Sequence, residues 1–238
     1  NFQHGDPLEL ADQVFLFKRT LRQAALQHKL YATFMAKPME NQPGSSLHLH
    51  QSLIKKKNNK NVFFSKTSTI SNIMKNYIAG LQTYTPKLMP IHAPNINSYR
   101  RFLPDQFVPV NNSWGPNNRS VAFRIPRSDN NAKRIEHRVA GAEANSYLVL
   151  AAILSGIHLG LINKLEPSKF RIDNACADAD PEMPKTIEKS IGLFENSEFC
   201  KSYYSEEYVN MYSDLKRKEL ESFYSEISDI EYKWYLNL

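Results

Sequence analysis

The sequence predicts one domain of the α+β class, in which short strands carry a polar site and helices cover them. Apolar residues recur at helical spacing in several long segments, and short β-rich runs lie between turn-forming residues. Three of these runs also carry ionisable side chains. The 238 residues, of which 42% are hydrophobic, suffice for a substantial core, and we assign residues 1–238 to a single domain.

Capping residues and apolar spacing predict the helices. Asp6 is a suitable N-cap and Pro7 fits the first helical position, so a helix is expected to begin there. Residues 144–162 are apolar on nearly all sides, which predicts a central helix. The predicted helices cover residues 7–29, 71–83 and 144–162, with further helical segments from residue 184 to the last residue.

Four short runs are predicted to be strands, because β-branched, aromatic or alternating residues lie between turn formers. They cover residues 31–35, 47–50, 120–125 and 135–139. A tight turn at Gly44 leads into the second run, and residues 128–131 connect the last two. Residues 95–118 are expected to form an ordered but irregular loop.

Two of the predicted strands place ionisable residues two positions apart, which puts their side chains on one face of a sheet. His48 and His50 form one pair, Glu136 and Arg138 the other. The histidines suit a divalent metal or phosphate oxygens, but they also fit a pair of surface histidines. Glu136 beside Arg138 fits a metal ligand next to an anion clamp, or simply an ion pair.

Arg119 and Arg124 lie five positions apart, so a straight strand would point them to opposite faces. They reach one cavity only if Arg119 lies on the turn that enters the strand or if a bulge realigns it. In that case the site collects positive charge, which together with magnesium stabilises phosphoryl transfer. The alternative is a pair of exposed strand ends.

The composition argues against several classes of protein. The net charge is +6, but the lysine run at residues 55–60 lacks interleaved aromatic residues and reads as a solvated loop rather than a nucleic-acid patch. No apolar run reaches the length of a membrane span. The two cysteines, Cys176 and Cys200, show no metal-binding spacing. We therefore expect a cytoplasmic protein that binds neither nucleic acid nor membrane.

The order and spacing of these residues resemble the glutamine synthetase family over nearly the whole chain. The matching runs are residues 32–38, 44–52, 97–101, 118–126, 134–138, 142–148 and 234–236. The chain is most similar to the γ-glutamylpolyamine branch, the γ-glutamylputrescine synthetase type. The resemblance implies the catalytic domain of that family, in which antiparallel strands form an active-site half-barrel flanked by helices.

The resemblance also implies a reaction and a site. Members of the family transfer the γ-phosphate of ATP to the side chain of glutamate, and an amine or ammonia attacks the resulting γ-glutamyl phosphate. The cofactors implied are ATP and Mg²⁺ or Mn²⁺. The residues that match the family's site are His48 and Glu136 for the metal, His50, Ser52, Arg119 and Arg124 for the nucleotide and transferred phosphoryl group, and Gly44, Arg101 and Arg138 for glutamate.

Two positions depart from the pattern of the ammonia-using members. Phe107 stands where those members carry a glutamate that binds and deprotonates ammonium, and Pro43 stands where asparagine is usual. Phenylalanine cannot attract ammonium, but it can pack against the methylene groups of a larger amine. We therefore expect a polyamine or another organic amine as acceptor. The alternatives are an ammonia-using glutamine synthetase and a non-catalytic structural relative.

Further metal-binding carboxylates of the family, and a small β domain, match positions before Asn1. His48 and Glu136 are too few ligands for a hard cation, which takes about six oxygen-rich positions. We therefore expect that residues 1–238 alone do not turn over substrate. Members of the family form rings with active sites between subunits, so the resemblance implies a homo-oligomeric ring for the full-length protein.

Overall fold

Helices and a small sheet make up this α+β chain in a computed structural model, which describes residues 2–65, 70–103 and 108–238. The helices are α1 Pro7–Gln27, α2 Asn72–Tyr84, α3 Met89–His92, α4 Ile96–Tyr99, α5 Ser146–Ile162, α6 Ile187–Glu195, α7 Glu198–Tyr204, α8 Glu206–Tyr224 and α9 Asp229–Tyr235. The strands are β1 Leu49–Gln51, β2 Trp114–Pro116, β3 Phe123–Ile125 and β4 Ile135–His137.

The four strands form one mixed sheet in the order β1-β4-β3-β2. β4 pairs antiparallel with both β1 and β3, as expected, whereas β2 pairs parallel with β3. Each strand is only three residues long. The predicted strands at 47–50, 120–125 and 135–139 therefore exist, but with fewer residues than predicted.

Two predictions about strands are wrong. Residues 31–35 form no strand, although the composition of this segment is β-rich. The segment 95–118 is not entirely irregular: α4 lies at its start and β2 near its end. β2 contains a glycine and a proline, which are both rare in strands, so composition alone conceals it.

Capping side chains begin the long helices, as predicted for Asp6. Asp6 accepts hydrogen bonds from the backbone of Leu8 and Glu9 at the start of α1. Ser71 caps α2 and Asn145 caps α5 in the same way. These side chains satisfy backbone N–H groups that otherwise lack partners in the first turn of a helix.

α2 and α5 approach so closely that glycine is required at the contact. A Cβ on Gly160 would lie 2.4 Å from the carbonyl oxygen of Asn76, and one on Gly80 would lie 2.5 Å from that of Gly156. α5 also contributes Val149, Ile153 and Ile157 to the core. It is less central than predicted, because Leu154 and Ile162 on its other side are exposed.

The core lies between the sheet and the helices. Buried core side chains from α2, α3, α6, β3 and β4 include Tyr77, Ile91, Phe194, Phe123 and Ile135. None of the helices in the described ranges combines the length and the apolar character that a membrane crossing requires.

Candidate functional site

One face of the sheet carries ionisable side chains, and the strand register brings them together. His50 of β1 lies opposite Glu136 of β4, and Arg124 of β3 lies opposite Glu136 on its other side. The intervening residue His137 pairs with Leu49 and Phe123, on the apolar face. The alternation of side chains along β4 thus separates a charged face from a core face.

Glu136 is the centre of this charged face and is almost fully buried. Its Oε2 accepts a hydrogen bond from Nη1 of Arg124 at 2.8 Å, and its Oε1 accepts one from Nη1 of Arg138 at 3.0 Å. Nδ1 of His48 lies 3.2 Å from Oε1, and Nε2 of His50 lies 3.9 Å from it. The two histidines therefore point to the same side, and so do Glu136 and Arg138, as predicted.

The surroundings of Glu136 keep it ionised. Burial opposes its negative charge, but hydrogen bonds from His48 and Arg124 and the positive charge of Arg138 outweigh burial, so the pKa of Glu136 lies well below its ordinary value. Burial lowers the pKa of Arg138, and the charges of Arg124 and Arg119 add to that effect. The site thus gathers two guanidinium groups on one carboxylate, with the charge of Arg119 close enough to act on Arg138, which leaves a net positive charge suited to anions.

Arg119 lies on the turn that enters β3, which is the first of the two arrangements considered from the sequence. Asn117 has a positive φ of 50° and the Asn118 side chain accepts from the backbone of Ser120, so these two asparagines shape the turn. Nη2 of Arg124 donates to Oδ1 of Asn117 at 2.9 Å. The turn therefore fixes the Arg124 guanidinium from the side opposite Glu136, while Arg119 itself is exposed.

His50 is held by a residue that the sequence reasoning left without a role. Nε of Arg134 donates to Nδ1 of His50 at 3.2 Å. Burial lowers the pKa of His50, and the nearby charge of Glu136 opposes that effect. The neutral ring thus presents Nε2 towards Glu136, and Arg134 adds another positive charge at the rim of the site.

Gly44 and Arg101 form a second group of predicted site residues. A Cβ on Gly44 would lie 2.6 Å from the carbonyl oxygen of Ala36 and 2.8 Å from Cγ of Arg101, so only glycine permits this contact. Arg101 donates to Oγ of Ser46 at 2.7 Å and to the carbonyl oxygen of Val139. Burial lowers the pKa of Arg101 to about 10, so its guanidinium remains charged at neutral pH.

Two of the predicted residues do not join these groups. Ser52 is exposed and follows the end of β1. Phe107 lies outside the described residues, so the prediction about the acceptor amine stays a prediction from the sequence.

The side chains present do not complete a metal site by themselves. Across residues 2–65, 70–103 and 108–238, no three His, Cys, Asp or Glu side chains come together in a way that would hold a metal ion. His48 and Glu136 supply two donors, whereas Mg²⁺ demands near-octahedral coordination. These two donors would therefore bind a hard cation only together with further ligands.

Asn117 and Arg134 are the contacts that sequence reasoning missed. Arg134 lies two residues before Glu136, and the alternation Arg134, Glu136, Arg138 places all three on one face of β4. Extending the pattern by one step would have found it. Asn117 follows Pro116 and precedes another asparagine, which is a turn signal, but nothing in the sequence predicts its contact with Arg124.

Comparisons with known proteins show the family of the chain. Residues 1–235 match the family model described as "Glutamine synthetase, catalytic domain". The chain is 40% identical to gamma-glutamylputrescine synthetase PuuA of Escherichia coli (strain K12), over 99% of this chain and 50% of that protein. It is 34% identical to glutamate–isopropylamine ligase of Pseudomonas sp, over 100% of this chain and 53% of that protein.

One more relative and one solved structure are also similar to this chain. The chain is 34% identical to type-1 glutamine synthetase 2 of Dictyostelium discoideum, over 97% of this chain and 46% of that protein. The solved structure of apo GmaS without ligand superimposes with a TM-score of 0.87 at 25% identity, over 100% of this chain and 56% of that one. The chain thus spans about half the length of the curated relatives it matches.

Proposed function

Because the chain belongs to the glutamine synthetase catalytic-domain family, we propose that the protein joins the γ-carboxylate of glutamate to an organic amine in an ATP-dependent reaction. The observation that carries this proposal is the buried carboxylate of Glu136 with guanidinium groups on both of its oxygens. A structural ion pair needs one such partner. Several arginines around one site suit a reaction in which phosphate and carboxylate oxygens meet.

In this proposal the arginines bind and neutralise the anionic groups. Arg124 and the exposed Arg119 face the phosphoryl group that moves from ATP to glutamate, and Arg138 faces glutamate itself. Phosphoryl transfer depends mainly on positioning and on stabilising charge, both of which fixed guanidinium groups supply. The hydrogen bond of Arg124 to Asn117 supports such a fixed position.

Gly44 and Arg101 bind the amino-acid end of glutamate in this proposal. The close contact of Gly44 with Arg101 leaves no room for a larger residue, which suits a backbone that approaches a small substrate. His50 and Ser52 contact the nucleotide. His48 and Glu136 contribute to a divalent metal bound with ATP, Mg²⁺ or Mn²⁺, which would polarise the phosphate oxygens once further ligands complete its coordination.

The organic amine as acceptor rests on two supports. Phe107 stands in the sequence where a glutamate serves ammonia-using members, and relatives at 40% and 34% identity are named for putrescine and isopropylamine. A polyamine is our first candidate because the relative at 40% identity is named for one. The second candidate is an ammonia-using glutamine synthetase, which the name of the relative from Dictyostelium favours.

We also propose a homo-oligomeric ring in the cytoplasm. The ring rests on the family membership alone. The compartment is supported by the sequence, in which Cys176 and Cys200 are the only two cysteines, a content that fits a reducing compartment.

The test is an ATP-hydrolysis assay on the intact gene product with glutamate and Mg²⁺. Ammonia, putrescine, spermidine, ethanolamine and isopropylamine are supplied one at a time, and the γ-glutamyl product is identified by mass spectrometry. We expect stimulation by an organic amine and little by ammonia. Stimulation by ammonia alone would replace the proposal by the glutamine synthetase reading, and ATP hydrolysis with no acceptor effect would reject both.

A pair of variants tests the acceptor argument. Phe107→Glu is expected to raise kcat/KM for ammonia relative to the organic amine, because a carboxylate attracts ammonium and takes up its proton. Phe107→Leu is the matched control, since it keeps an apolar side chain and is expected to keep the preference for the organic amine. If the ratio of kcat/KM for ammonia to kcat/KM for the organic amine is unchanged in Phe107→Glu, residue 107 does not select the acceptor.

A further inference from the structure

The short helix α4 holds the turn that contains Gly44. Oδ1 of Asn97 accepts from the backbone N–H of Lys37 at 2.9 Å, and Nδ2 of Asn97 donates to the carbonyl oxygen of Lys37, also at 2.9 Å. The N–H of Ser45 in turn donates to the carbonyl oxygen of Ala36 at 2.8 Å. One side chain of α4 therefore fixes the segment that closes on Gly44.

The same helix also leads directly into Arg101, which packs against Gly44 and reaches Ser46 and Val139. The proposed glutamate contacts Gly44 and Arg101 thus depend on one element of four residues. A helix this short has little stability of its own, so its position depends on tertiary contacts.

Glu143 supplies such a contact from the segment that follows β4. Oγ of Ser98, which is fully buried, donates to Oε1 of Glu143 at 2.5 Å. The Ser98 hydroxyl also accepts from the backbone N–H of Asn95 at 3.2 Å, as part of the capping box that starts α4. The hydroxyl has one proton and also lies 3.1 Å from Oδ1 of Asn95, and the shorter bond to Glu143 leaves its lone pairs available to the backbone N–H of Asn95.

Glu143 also acts through its charge. It lies close enough to Arg101 and Lys18 to raise the pKa of each, against the larger effect of burial. Gly141 permits this position, since a Cβ there would lie 2.2 Å from Oε2 of Glu143. The carboxylate therefore favours the charged form of Arg101 at the same time as it fixes the start of α4.

We propose that Glu143 is a positioning residue for glutamate binding, which holds α4 through Ser98 and thereby aligns both Gly44 and Arg101. This inference rests on the proposed function. Glu143 itself touches neither Glu136 nor the arginines bonded to it in the described contacts, so its loss should affect the binding of glutamate and leave that of ATP nearly unchanged.

The test compares Glu143→Ala, Glu143→Gln and the matched control Tyr99→Phe in the intact gene product. Tyr99 lies next to Ser98 on α4, but its hydroxyl donates to Oγ of Ser190 at 2.5 Å. Tyr99→Phe thus removes one buried hydrogen bond of the same helix and spares Glu143.

Glu143→Ala is expected to raise KM for glutamate at least about tenfold and KM for ATP less than about twofold, as the loss of a charged hydrogen-bond partner predicts. Glu143→Gln retains an acceptor for Ser98, so its rise in KM for glutamate should be smaller than that of Glu143→Ala. Tyr99→Phe should change neither KM. An equal rise of both KM values, or none, in both Glu143 variants would overturn the proposal.

Hydrogen exchange separates this inference from the proposed function. Backbone amides of residues 36–46 should exchange faster in Glu143→Ala than in the wild type and in Tyr99→Phe, whatever reaction the protein catalyses. If the wild type shows no glutamate-dependent activity, the proposed function fails, and unchanged exchange would overturn the positioning role as well. If Glu143→Ala does not fold, the KM values and the exchange rates of Glu143→Gln and Ser98→Ala are compared with those of the wild type instead.

Discussion

Replacing Glu136 by glutamine should destabilise the protein strongly, because it removes the charged carboxylate to which two guanidinium groups are bonded. The side chain of Glu136 is 5% exposed, and those of its partners Arg138 and Arg124 are 7% and 14% exposed. Removing one partner of a buried ion pair costs about 3–5 kcal/mol. Arg124 keeps Asn117 as a second partner, so we expect the lower end, about 3 kcal/mol.

The loss should appear in both denaturant and thermal unfolding. For a protein of this size, about 3 kcal/mol corresponds to a fall in Tm of roughly 6–12 °C. The pKa of Glu136 is lower in the folded chain than its ordinary value, so its stabilising effect is present above about pH 4 and is lost as the pH falls towards the folded pKa. The difference between wild type and Glu136→Gln should thus be largest at neutral pH and shrink in acid.

Glu195→Gln is the matched control. Glu195 forms a bidentate pair with Arg217, but the two side chains are 29% and 43% exposed. An exposed pair contributes about 1 kcal/mol or less. If urea unfolding at pH 7 gave the same loss for both glutamine variants, or if the Glu136→Gln difference persisted unchanged at pH 3, the account of Glu136 as the counter-charge of buried arginines would be refuted.

Further predictions concern the arginine and glycine positions of the site. Arg124→Lys should lower kcat about tenfold or more under saturating substrates, because lysine lacks the two-pronged guanidinium that bonds Glu136 and Asn117 at once. An unchanged kcat would rule out the proposed contact of Arg124 with the phosphoryl group. Gly44→Ala should raise KM for glutamate and lower Tm, since its Cβ meets backbone and side-chain atoms within 3 Å. Gly192→Ala, whose Cβ meets nothing within 4 Å in α6, should leave KM unchanged and stabilise the protein by up to about 1 kcal/mol, as calorimetry would show.

The sequence predicts the long helices better than the strands, for a local reason. Asp6 and Ser71 cap their own helices, so the signal and the structure lie within a few residues of each other. A strand requires a partner elsewhere in the chain. Residues 31–35 have a β-rich composition but find no partner, whereas Trp114–Pro116 has a poor composition and pairs with β3. Composition alone cannot decide either case.

In the candidate site, too, local features are predictable from the sequence and long-range contacts are not. The period of two within a strand predicts that Glu136 and Arg138 share a face, and they form an ion pair. The spacing of Arg119 and Arg124 leaves two arrangements open, because the turn that carries Arg119 depends on the positive φ of Asn117, which no periodicity reveals. The contact of Glu143 with Ser98 joins residues 45 positions apart and is invisible to any local pattern.

The alternation along β4 also limits how this region of the chain can vary in length. A shift of β4 by one residue would place Glu136 against Phe123 and Leu49 in the core. It would also turn His137, whose ring centroid lies 4.7 Å from that of His92, towards the arginines. The apolar face would then carry a charged residue, and the charged face would lose its carboxylate. Insertions and deletions should therefore be tolerated in the mostly exposed connection at residues 127–131 and should prevent folding between residues 135 and 138. A deletion scan of this segment would reveal the contrast.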